Sequence, residues 1–144
     1  MQQKLATTDT SGGEPAMGDT IVRKSFPPIT RHLLALYCGA SGDHNPMHVD
    51  IDFAKKAGFP DVFTHGMLVM AWLGQALTDA VEPGRIREFS TRFNAITQLG
   101  ATLTCEGSVT ELFETDGERH ARLSLTTTDE KGEVKLTGEA VIAL

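Results

Sequence analysis

The sequence predicts an α+β domain in which a curved antiparallel sheet wraps one long central helix. Three observations carry that expectation. The segment Gly66 to Val81 is apolar on nearly every side, with Met67, Leu68, Val69, Met70, Ala71, Trp72, Leu73, Ala76, Leu77 and Ala80, and a helix without a broad polar face must be buried against something that surrounds it. The carboxyl half then alternates apolar and polar residues in four separate segments, the pattern of half-buried strands. A length of 144 residues, 40% hydrophobic and 22% charged, fits one globular domain with a sizeable core.

Residues 1 to 17, including Thr7-Thr8-Asp9-Thr10-Ser11-Gly12-Gly13, are small and polar without period, so a flexible N-terminal tail is expected there. Residues 18 to 144 are expected to form the single domain, and no internal repeat is visible. Asp19 to Phe26 reads as a short strand closed by Pro27-Pro28. A helix follows: Thr30 can cap it, Ile29, Leu33, Leu36, Tyr37 and Ala40 recur at helical spacing, and the stripe stops at Gly39 and Gly42. Beyond the Asn45-Pro46 break, Asp52 can cap a single turn, Phe53 to Ala57, ended by Gly58. Pro60 and Asp61 belong to a loop before the long helix, which Glu82-Pro83-Gly84 closes. The alternating segments carry Phe89, Thr91 and Phe93; Ala101, Leu103, Cys105 and Val109; Ala121, Leu123 and Leu125; and Val134, Leu136 and Ile142. Asp116-Gly117 and Lys131-Gly132 mark hairpin turns, so these strands are expected to form an antiparallel meander.

Charge and composition narrow the function. A net charge of −6 without clustered Lys and Arg argues against a nucleic-acid surface. No apolar run reaches the roughly 18 residues that span a bilayer, and the N-terminus lacks the charged-then-apolar pattern of a secretory signal; a cytoplasmic location is the expectation. Cys38 and Cys105 lie in apolar segments without Cys-x-x-Cys spacing and read as small buried residues in a reducing compartment.

The chemistry concentrates in Ala40-Ser41-Gly42-Asp43-His44-Asn45-Pro46-Met47-His48-Val49-Asp50. Asp43 and His48 hang from a backbone bent by Asn45-Pro46 rather than from one helix face. That is an awkward way to build a core and a sensible way to aim two proton-handling groups at one point. Either residue alone has an ordinary structural use, Asp43 as a turn residue and His48 as a packed histidine; their pairing is what points to acid–base work. Asn45 is expected to fix the turn through side-chain to backbone hydrogen bonds. His44 and His48 are four residues apart, but Pro46 between them opposes the continuous helix that a His-x-x-x-His metal site requires, and no metal is expected. A second stretch, Thr64-His65-Gly66-Met67-Leu68, places glycine where the long helix begins. The first N–H groups of a helix lack internal acceptors and sit at the positive end of its dipole, so Gly66 can hold an oxyanion. His65 is expected to order the loop before the helix.

Ser41 to Asp50, then Phe53-Ala54-Lys55-Lys56-Ala57-Gly58-Phe59, then His65-Gly66-Met67-Leu68 resemble the MaoC-like dehydratases, the group that contains the R-specific enoyl-CoA hydratases and related hydroxyacyl-thioester dehydratases. The likeness rests on Asp-x-Asn-Pro-x-His and His-Gly-Met and covers nearly all of the chain beyond the tail. It implies the hot-dog fold and interconversion of a trans-2-enoyl thioester with its (R)-3-hydroxyacyl thioester, with Asp43 and His48 on the water and the Gly66 N–H on the thioester carbonyl. Which of the pair is the formal base is left open. No cofactor is implied beyond the acyl-CoA or acyl-carrier thioester that serves as substrate. The resemblance also implies a homodimer, with a mixed dimer containing an inactive relative as the alternative, and a thioesterase of the same fold as the alternative activity. Eight residues past Gly66, where some of these enzymes carry a substrate-touching serine, this chain has Gly74. Arg85, Arg87 and Arg92 are candidates by position to meet CoA phosphates, though each reads more readily as part of a solvated face.

Overall fold

The computed structural model describes residues 13–144; most of the expected tail, residues 1 to 12, lies outside them. From Glu14 onward the chain lies against the domain: Glu14 pairs with Arg119, Asp19 accepts from the Ala16 N–H at 2.8 Å, and the Gly18 N–H donates to the Val109 carbonyl at 2.8 Å. Strand β1, Thr20–Ser25, follows, then helix α1, Arg31–Ser41. Thr30 caps α1 by accepting from the Leu33 N–H, and Gly42 ends it in the left-handed region at φ 76°, where glycine pays no steric penalty. The expected stripe on α1 is rotated in the structure. Leu34 and Cys38 are buried, with Leu33 and Tyr37 partly buried against the core, while Leu36 is 58% exposed, because the helix rests on the domain along the 33/34/37/38 face.

A short turn, Pro46–His48, leads to helix α2, Ile51–Lys56. Asp50 rather than Asp52 is its cap, accepting from the Asp52 and Phe53 N–H groups; the helix starts earlier than expected because the turn at Pro46 returns the chain to helical geometry within a few residues. The long helix α3 spans Gly66–Ala80. Leu68, Val69, Leu73, Ala76 and Leu77 are buried on one side, but Met67 is 53% exposed, and Ala71, Gln75 and Thr78 continue an outward stripe. A single sheet covers one side of a helix, so the outer face, apolar at Met67 and Ala71 and polar at Gln75 and Thr78, is uncovered in the isolated chain.

Strands β2, Ile86–Phe93; β3, Thr104–Thr115; β4, Glu118–Thr128; and β5, Val134–Ala143 complete a five-stranded antiparallel sheet of order β1-β3-β4-β5-β2. The expected meander holds for β3, β4 and β5. The β2 strand does not precede β3 in space; it lies beyond β5, with Phe89 opposite Ala140 and Phe93 opposite Leu136, because α3 carries the chain across the sheet before β2 begins. Ala101 and Leu103 are buried just ahead of β3 rather than within it. The Asp116-Gly117 turn has φ of 51° and 76°, the two positive values of a type I′ hairpin. Register breaks at Thr20/Val22, Ile86/Glu88, Val109/Glu111 and Thr127/Thr128 supply the local bends that curl a sheet. Around α3 the core gathers Val22, Ile29, Leu103, Leu123, Leu125 and Leu136. This is the hot-dog arrangement. Among the described residues no helix is long and apolar enough to cross a membrane, and both cysteines are free and buried.

The junction of β2 and β5 depends on Gly138, where an added Cβ would fall 2.4 Å from the Ser90 carbonyl oxygen. Main chain cannot swing aside as a side chain does. Gly138→Ala is expected to lower unfolding free energy by about 1–3 kcal/mol, read as a shift of the urea midpoint.

Candidate active site

Two stretches of chain meet at the amino end of α3. The loop between α1 and α2 arrives through the Gly42 cap and is shaped by its own side chains. Ser41 Oγ accepts from the Asp43 N–H at 3.1 Å, Asp43 Oδ1 from the Asn45 N–H at 3.2 Å, and Asn45 Oδ1 from the Met47 N–H at 3.1 Å. Asn45 therefore fixes the turn as expected. Asp43 is exposed and His48 buried at 8% exposure, so the pair spans the boundary between solvent and interior.

The second stretch, Phe63 to Gly66, organises the first. His48 Nδ1 lies 2.6 Å from the Phe63 carbonyl oxygen. A carbonyl only accepts, so Nδ1 carries the proton and a neutral His48 presents Nε2 as a bare lone pair. His65 Nε2 donates in the same manner to the Asp43 carbonyl at 3.2 Å, with Cys38 Sγ 3.4 Å away. The two imidazoles stack, centroids 3.9 Å apart and planes 28° from parallel. Burial, and after it the neighbouring His48, hold His65 below the usual histidine range. Burial, reinforced by the Asp43 carboxylate, pushes the Cys38 thiol up, so that thiol is a poor nucleophile at neutral pH.

One ligand-type atom from each of Asp43, His48 and His65 lies within 4.8 Å of the other two. A water bonding two groups at about 2.8 Å each can span up to roughly 5 Å, so Asp43 and His48 are close enough for one water to bridge them. The spacing also suits a cation. His44, the residue whose spacing first raised a metal site, is not in the group.

Gly66 opens α3. The other two α-helices have capping side chains, Thr30 and Asp50, whereas His65 at the cap position of α3 makes no side-chain cap bond. The Gly66 N–H finds no acceptor among the described residues, leaving a donor at the positive end of the longest helix. The Phe93 ring lies over it, so that an added Cβ would meet Cε1 at 3.1 Å. Beside Gly66 a cavity of about 360 Å³ extends between α3 and residues 93 to 97, lined by Val69, Phe93, Ile96 and Leu136 among others. Lys135 borders it, buried, with Nζ donating to the Ile96 carbonyl at 2.9 Å and paired with Glu133 at 3.0 Å.

The structure thus brings Asp43 and His48 together, with Gly66 heading α3 beside the Phe63–Gly66 stretch that binds both. Sequence reasoning missed the Phe63 carbonyl, the stacking of His65 and the placement of Phe93. A carbonyl leaves no mark in a sequence, and Phe93 enters only because β2 joins the far side of β5. Of the arginines considered for phosphate contact, Arg85 donates to the Ala143 carbonyl at 2.8 Å and Arg87 grips Glu118 at 2.9 and 2.6 Å, holding that carboxyl down at about 2. Arg92 is exposed on β2.

Comparison with known proteins specifies the family to which this fold and site belong. The MaoC like domain model matches residues 14–131, and the chain belongs to that family. It is 34% identical over 116 residues to the (R)-specific enoyl-CoA hydratase of Rhodospirillum rubrum, covering 79% of this chain and 78% of that one. The solved (R)-hydratase from Aeromonas caviae involved in PHA biosynthesis superimposes with a TM-score of 0.77 at 27% identity, over 90% of this chain and 96% of that one. Other relatives are much longer: the match to the peroxisomal enoyl-CoA hydratase 2 of Arabidopsis thaliana, 37% identical over 75 residues, spans 50% of this chain but 24% of that protein.

The turn that carries His48 depends on the Asn45 side chain. Asn45→Ala leaves the Met47 N–H without its acceptor and is expected to cost about 1 kcal/mol of stability, measured by chemical denaturation.

Proposed function

We propose that this chain adds water across the double bond of trans-2-enoyl thioesters to give (R)-3-hydroxyacyl thioesters, and catalyses the reverse dehydration. The observation that carries the reading is the approach of Asp43 and His48 to within 4.8 Å beside an uncapped helix start. Hydration poses two problems. Water must lose a proton as its oxygen bonds to the third acyl carbon, and negative charge gathers on the thioester oxygen until the second carbon gains a proton. His48 Nε2 and the free oxygen of Asp43 hold the water, take its proton and return one to the second carbon, so no proton is gained or lost overall. Acid–base assistance of this kind contributes about 100- to 10,000-fold. The Gly66 N–H meets the thioester oxygen as charge develops there, and removal of one such donor costs roughly 100- to 1,000-fold. The naming of the Rhodospirillum and Aeromonas relatives as (R)-specific hydratases supports the substrate and its stereochemistry.

Purified protein is expected to consume crotonyl-CoA or a longer trans-2-enoyl-CoA, read as loss of enoyl-thioester absorbance. Asp43→Asn and His48→Gln, still folded, are each expected to lower kcat/KM at least about 100-fold. Wild-type rates in both variants would remove the pair from the chemistry. Release of free CoA from a saturated acyl-CoA, without hydration, would make the protein a thioesterase.

A second copy of the chain completes the proposed assembly. The β2 strand is an edge with one unpaired side, and Met67, Phe93 and Ile96 expose apolar surface on α3, on β2 and just beyond it; such an edge favours pairing with a like strand. Light scattering is expected to give twice the 15.5 kDa chain mass, and a monomer that turns over at full rate would refute the pairing.

A further inference from the structure

We propose that His65 is a positioning residue: its Nε2–H holds the Asp43 main chain while its ring backs the face of His48, so one neutral imidazole sets the geometry of both members of the acid–base pair. The inference rests on the role given above to Asp43 and His48 and extends it to a residue that touches neither water nor thioester in that scheme.

His65 is 1% exposed, in a place where a leucine or phenylalanine would fill space without desolvating two ring nitrogens. Its Nδ1 is buried with no hydrogen-bond partner, a cost that packing alone does not explain. What the imidazole provides is the bond from Nε2 to the Asp43 carbonyl at 3.2 Å. Asp43's other contacts are local, to Ser41 and Asn45 within its own loop; His65 ties that loop to the rigid start of α3. The same ring lies 3.9 Å from that of His48, which the Phe63 carbonyl fixes at its opposite edge. The groups facing His65 are Tyr37 and Cys38 from α1, and Asp43 and His48 from the loop. Among them His48 is the imidazole that takes the water's proton in the proposed cycle. A His65 that stays neutral leaves that charge to His48 alone and offers it a polarisable face in place of a like charge.

Two measurements test the proposal. Nitrogen-15 NMR of the wild-type imidazoles is expected to show His65 as the neutral Nε2–H tautomer through the range around neutrality where an ordinary histidine changes charge; a His65 that is protonated there, or carries its proton on Nδ1, overturns the proposal. This reading needs no variant to fold. In kinetics, His65→Phe keeps a flat ring but deletes the donor, and is expected to lower kcat about 10- to 100-fold with little change in KM. His65→Gln places an N–H near the Nε2 position and is expected to recover most of the loss. A folded His65→Phe protein with wild-type kcat, or a folded His65→Gln protein as slow as His65→Phe, refutes the positioning role. The parent reading fails separately, through Asp43→Asn and His48→Gln proteins that keep wild-type activity.

Discussion

The packing of α3 into the sheet is the constraint on which the rest of the structure depends. Leu73 and Leu77 are fully enclosed, and Leu68, Val69 and Ala76 extend the same buried face. Burying each such leucine is worth about 1.5–3 kcal/mol, so the helix cannot slide or rotate without exposing several at once. Its amino end is therefore fixed, and with it the four residues Phe63 to Gly66 that enter it. The approach is held as firmly as the helix: the Thr64 N–H donates to the Thr97 carbonyl at 2.9 Å, and Phe63 bridges to Gln98. A rigid hydrophobic element thereby becomes a reference frame for polar groups that lie outside it.

The polar groups divide the work between the two stretches. Residues 43 to 48 bring a carboxylate and an imidazole, and residues 63 to 66 bring what orients them. Exposure falls in the same order, from Asp43 at the surface through His48 to His65 at 1%. Groups proposed to exchange protons with substrate lie outward; the group that holds them lies inward. The longest helix is also the one left without a capping side chain, an omission that local stability would not favour and that fits an end kept open for an incoming anion.

Much of this was legible in the sequence because short-range chemistry dictates it. Thr30 and Gly42 bracket α1, Asp116-Gly117 turns β3 into β4, and Asn45 shapes the turn before His48, each through contacts within a few residues. The Asp43–His48 pairing was legible for the same reason, since five residues around a proline allow few geometries. What failed to show were features set by distant neighbours. The apolar periodicity of α1 named Leu36 as buried, yet which face of a helix is covered depends on where it docks. The apolar length of α3 suggested burial all round, yet one sheet covers one side and Met67 is left outside. The position of β2 next to β5 follows from the path of α3 across the sheet, and no property of residues 86 to 93 announces it. The part played by Phe63 is invisible by nature, for any residue supplies a carbonyl.

That last feature bears on how such a site ages. The tautomer of His48 is set by a main-chain oxygen, the partner of His65 is a main-chain oxygen, and the proposed anion donor is a main-chain nitrogen. A codon change at position 63 leaves its oxygen in place, provided that the path of the chain survives, whereas positions 43 and 66 also answer for a carboxylate and for the space beneath the Phe93 ring. Genetic drift can therefore alter much of the side-chain lining while the orienting contacts are inherited intact. Descendants of such a chain are free to diverge in what they admit beside Gly66 long before they lose the alignment of the groups around it.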